Sequence, residues 1–139
     1  MAHWLLVLVA LVAALAAPVR AQQSHPDQDA SLACFFVLLE ASFHQARRCG
    51  RAFTGEEGLR YEGIRGRMEG YILDKGGPAA PQALGTLRRQ LETTPPRCDD
   101  NSGKLSQQFL DEVLGDAGFP ARLEEILGRV PAPFDGGCL

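Results

Sequence analysis

Positive charge is in short supply. The 139 residues carry 14 Lys+Arg against 17 Asp+Glu, a formal net charge of −3, which argues against a nucleic-acid partner. Histidine is scarce too, with three in the whole chain. No zinc-protease HExxH, P-loop or CxxCH haem attachment occurs, so no cofactor is expected. No segment shows the strict polar–apolar alternation of an exposed strand. Beyond residue 19 no long apolar run recurs, so the remainder of the chain is expected to stay out of the membrane.

The one apolar run, Leu5–Ala17, is too short to span a bilayer comfortably. It precedes Val19-Arg20-Ala21, which offers small residues where a signal peptidase reads. Residues 1–21 are therefore expected to be a cleaved secretory signal, although no Lys or Arg precedes the run. Residues 22–28 read as a flexible arm, and 29–139 as a single helical domain with a tethered C-terminal tail. Without Arg20, 13 basic residues face 17 acidic ones, a net of −4. The charge is segregated. Residues 44–97 hold ten Lys+Arg against six acids, and residues 98–139 hold three against eight. Either the two halves attract each other, or the basic half forms a patch for an acidic partner.

What the chain does have is helical periodicity. From Ala30 to Cys49, Leu32, Phe36, Leu39, Phe43 and Ala46 share one face, widened by Phe35 and Leu38. Thr54-Gly55-Glu56-Glu57 is a capping box opening a second helix that runs to Lys75, with Tyr61, Ile64, Met68, Tyr71 and Ile72 as its apolar face. A third helix is predicted over Gln82–Thr93 and stopped by Pro95-Pro96. Asn101 or Ser102 is predicted to cap a fourth, with Leu105, Phe109, Leu110, Val113, Leu114 and Ala117 apolar and Gly118 closing it. Pro120 opens a short fifth, with Leu123, Ile126, Leu127 and Val130 inward. The fold class is all-α: a small disulfide-stapled bundle of four to five helices.

Four cysteines in an exported chain imply two disulfides. Cys34 and Cys49 lie about 22 Å apart on one helix at 1.5 Å per residue, beyond the reach of a disulfide. Up–down parity then pairs Cys49 with Cys98 and Cys34 with Cys138.

Candidate functional residues fall into four groups. Arg47, Arg48, Arg51 and Arg60 lie near one bundle end and could meet an acidic partner. Gly63, Gly66 and Gly70 share a flank of the second helix. They mark either a bare groove, with Met68 and Tyr71 beside an apolar-ligand cavity, or close helix–helix packing, the commoner reason for a helical glycine, or a helix that is simply weak. Glu40 and His44 stand one turn apart, a spacing that suits an acid–base pair but is frequent on solvated faces. Asp99–Gly103 has the oxygen-rich look of a calcium loop without an EF-hand's ligand spacing, and no metal is expected. The sequence thus points to an exported, non-enzymatic binding protein acting on another protein through its surface. A carrier of a small apolar ligand is the alternative, and a small hydrolase using Glu40 and His44 the third.

Overall fold

A computed structural model describes residues 31–129. Helix α1 spans Ser31–Arg48, α2 Gly55–Lys75, α3 Ala80–Thr93, α4 Asn101–Gly115 and α5 Phe119–Leu127. No strand occurs among the described residues. The expected signal segment, the 22–28 arm, Val130 and the tail with Cys138 lie outside them.

Helix α1 is the axis of the bundle. It packs on α2, α3 and, most extensively, α4. Leu32, Phe36, Leu39, Phe43 and Ala46 are all buried, as their spacing predicts. The widening of that face differs from expectation. Leu38 is 47% exposed. Phe35 is half-buried, its ring centroid 5.4 Å from that of Phe109 and 5.4 Å from that of Phe119. Gly50 ends α1 at φ 88°, a left-handed conformation that glycine adopts without a Cβ clash. Arg51 N–H then donates to Ala46 O at 2.9 Å and Gly50 N–H to Arg47 O at 3.0 Å, which satisfies the last carbonyls.

The capping box of α2 forms in full. Thr54 Oγ1 accepts from Glu57 N–H at 3.1 Å, and Thr54 N–H donates to Glu57 Oε2 at 2.9 Å. That backbone donor, reinforced by Arg51, holds the Glu57 carboxyl below the usual carboxylate range. Helix α2 buries Tyr61, Ile64, Met68 and Ile72 and touches every other helix. Helix α3 begins at Ala80 rather than Gln82, because Pro81 fits the first turn, where no N–H is needed. The cap of α4 is Asp100, whose Oδ1 accepts from Gly103 N–H at 3.0 Å. The acid-rich 99–103 stretch is thus a helix start. Helix α4 stops at Gly115, so Ala117 is exposed in a loop instead of on the apolar face. Leu105 is 64% exposed and Ile126 40%, so neither belongs to the core.

Cys49 and Cys98 are disulfide-bonded, with Cα atoms 5.4 Å apart. The bond clamps the segment before α4 to the end of α1. Cys34 is also disulfide-bonded; Cys138, its expected partner, lies outside the described residues.

Candidate functional site

Four glycines, Gly58, Gly63, Gly66 and Gly70, interrupt α2. Each lowers helix stability by about 1 kcal/mol relative to alanine in a helix interior. Close packing would explain that cost, but a Cβ built at any of the four meets no atom within 4 Å. Packing among the described residues therefore does not explain them. Helix geometry gives the reason: Gly63, Gly66 and Gly70 lie on the opposite side of α2 from Tyr61, Ile64, Met68 and Ile72, which face the core. Leu59, 77% exposed, and Leu73, 45% exposed, stand at either end of this bare strip. Leu59, Gly66 and Leu73 are spaced by seven residues, two helical turns, so they share one line along the helix.

A groove of about 310 Å³ opens beside the strip, between α2 and α5. Ile64 and Leu123, both buried, form its floor. Leu59, Gly63 and Pro120 flank it, and Arg60, Arg67 and Glu124 form a charged rim. Arg67 pairs with Glu124 through both carboxylate oxygens across the rim. The Arg67 hydrogen bond holds the Glu124 carboxyl below its ordinary range. Gly63 belongs both to the groove and to the strip, so the two form one continuous face.

The remaining candidates separate. Met68 is completely buried within the core cluster and Tyr71 packs against that cluster, so neither shares the glycine flank. Arg51 is an internal brace. It pairs with Glu57 at 3.0 Å and Asp111 at 2.9 Å, donates to Gln107 Oε1 at 2.8 Å, and lies over the Phe53 ring. Arg60 pairs with Glu56 at 2.8 Å and donates to Leu114 O. Arg47 and Arg48 are exposed: Arg47 lies over the Phe43 ring and Arg48 donates to Thr94 O. Two of the four arginines are thus engaged with α4, and the other two are exposed.

Glu40 and His44 also part company. Glu40 is 2% exposed, not solvated. It accepts from Tyr61 Oη–H at 2.6 Å and pairs with Arg65 at 3.3 Å. Arg65 pairs in turn with Glu69, which meets Arg88, so a chain of charges runs from the core to the surface. Burial first, then the bond to Glu40, pushes the Tyr61 phenol far above its ordinary value. His44 instead lines a small cleft toward α3. An acid–base pair is not assembled. Among the described residues no group of three or more His, Cys, Asp or Glu could hold a metal ion, and no helix is long and apolar enough to cross a membrane.

Sequence reading missed Leu59 and the α5 side of the groove. The seven-residue spacing of Leu59, Gly66 and Leu73 was a usable signal; the contribution of Pro120 and Leu123 was not, since it depends on where α5 docks. Comparison with protein-family models, with curated proteins and with solved structures yields no match.

Proposed function

We propose that this is an exported, non-enzymatic binding protein whose α2 outer face receives a segment of another protein. The observation that carries the reading is the set of open glycines. They weaken α2, no packing among the described residues accounts for them, and they adjoin an apolar-floored groove with an exposed leucine at its edge. A bare helix surface lets a partner backbone approach closely, and the leucines supply apolar anchors. The Cys49–Cys98 disulfide supports export, since such bonds persist in oxidising compartments. The carrier reading has less support, because Met68 fills the core rather than lining a cavity. The hydrolase reading has less still, because Glu40 is held by Tyr61 and Arg65.

Site-specific photo-crosslinking in the producing organism tests this reading. A benzophenone amino acid at Gly66 is expected to trap a discrete protein adduct, and one at exposed Gln108 on α4 is not. Gly66→Ala is expected to raise thermal stability while reducing the adduct formed from a benzophenone at Gly63. Equal labelling at Gly66 and Gln108, or none at Gly66, would overturn the proposal.

A further inference from the structure

A second cleft lies on another side of the bundle, between the C-terminal half of α1 and the turn that ends α3. Its volume is about 70 Å³, the size of a functional group rather than a whole ligand. His44 and Arg48 are the ionisable residues that line it, and both come from α1. They are four residues apart, so their side chains emerge side by side. Leu91, Pro95 and Pro96 form the opposing wall. Among the described residues no carboxylate lines the cleft.

We propose that this cleft binds a carboxylate group, from an acidic side chain or a chain terminus. The inference is independent of the α2 face, and either can fail alone. Four observations carry it. First, His44 is half-buried, and neither ring nitrogen has a hydrogen-bond partner among the described residues. Second, Arg48 is oriented by one donation, to Thr94 O. A guanidinium has five N–H donors in a planar fork, so an edge is left for a two-oxygen acceptor. Third, the wall opposite is apolar, which lowers the local dielectric and strengthens attraction between unlike charges. Fourth, the cleft is pre-organised. Two consecutive prolines fix the backbone of the wall, and the Cys49–Cys98 bond fastens the segment following it to the end of α1. The partial negative charge at the α1 C-terminus opposes an anion, but Arg48 in that last turn carries a full positive charge and outweighs it.

The test is an NMR titration of the oxidised protein at pH 6. The reporters are the His44 ring protons, assigned through His44→Gln. Three probes are compared: N-acetylglutamic acid α-amide, with only a side-chain carboxylate; N-acetylalanine, with only a terminal one; and N-acetylglutamine amide, which is neutral. A saturable His44 shift with at least one carboxylate and none with the neutral amide is expected. The two acids then report which source fits. Arg48→Gln is expected to weaken the saturating probe at least fivefold, while Arg47→Gln leaves it unchanged. Should Arg48→Gln disturb the turn, His44→Gln provides a second variant, read through the Leu91 methyl shifts, and is expected to weaken binding likewise. A non-saturating response, an equal response to the neutral amide, or full binding by both variants would overturn the proposal.

Discussion

Glu40 is an acidic residue buried on the core face of α1, and its two partners make that position tolerable. An unpaired buried carboxylate is strongly destabilising, whereas here Tyr61 donates at 2.6 Å and Arg65 pairs at 3.3 Å. The Tyr61 ring also stacks on Phe43, with centroids 3.5 Å apart. Because the phenol is held in its protonated form, the sign of the pH effect follows. A pKa raised in the folded state gives stabilisation that is fully present below the unfolded value, about 10 for tyrosine. That stabilisation is lost as pH rises past it toward the folded value. Urea denaturation at pH 8 and pH 11 is expected to show the decline. Tyr61→Phe is expected to flatten it and to lower stability at pH 7 by about 1–3 kcal/mol, because Glu40 loses a donor. The burial of Glu40 was legible in principle. It follows Phe36 by four residues and precedes Phe43 by three, which puts it on the core face. The identity of its partners was not legible, because Tyr61 and Arg65 come from another helix.

At the scale of the element, two kinds of glycine behave oppositely. In α2, Gly63, Gly66 and Gly70 have open space around a would-be Cβ. Alanine at any one of them is expected to raise stability by about 0.5–1 kcal/mol. Gly103 in the first turn of α4 is buried, and a Cβ there would collide with Arg97 O and stand 2.8 Å from Cys98 O. Both neighbours are backbone atoms and cannot swing aside. Gly103→Ala is expected to destabilise by about 1–3 kcal/mol, the range for overpacking. Thermal denaturation of the four alanine variants checks both signs together. The capping box and the Pro95-Pro96 stop were readable because they act within a few residues. The requirement at Gly103 was not, because it comes from the path of the preceding chain.

At the scale of the molecule, the two charge blocks hold each other. Arg51 reaches Asp111 from the basic half, and Arg67 reaches Glu124. The exposed Arg67–Glu124 pair contributes little by itself, because water and salt screen it. The covalent tie counts for more. Closing the 49-residue separation between Cys49 and Cys98 is expected to contribute about 2–4 kcal/mol by restricting the unfolded chain. The Cys49→Ala/Cys98→Ala variant should therefore unfold at lower urea while retaining its helical circular dichroism. A drop below about 1 kcal/mol would mean that packing around α1 alone holds the 94–98 segment.

By itself the sequence determined the five helices, the capping box of α2, the Pro95-Pro96 stop and the central residues of each core face, while the α4 cap and end and the edges of those faces came out differently. It also ruled out a bond between Cys34 and Cys49. These are short-range matters: hydrogen bonds within a turn, allowed backbone angles, and a rise of about 1.5 Å per residue. Only the tertiary structure decided what lies against the other faces. It turned Gly63, Gly66 and Gly70 toward solvent, made Arg51 and Arg60 into internal braces, and sent Glu40 and His44 to different neighbours. Periodicity tells which residues share a face. Whether that face is covered, and by what, depends on elements tens of residues away whose docking no local pattern encodes.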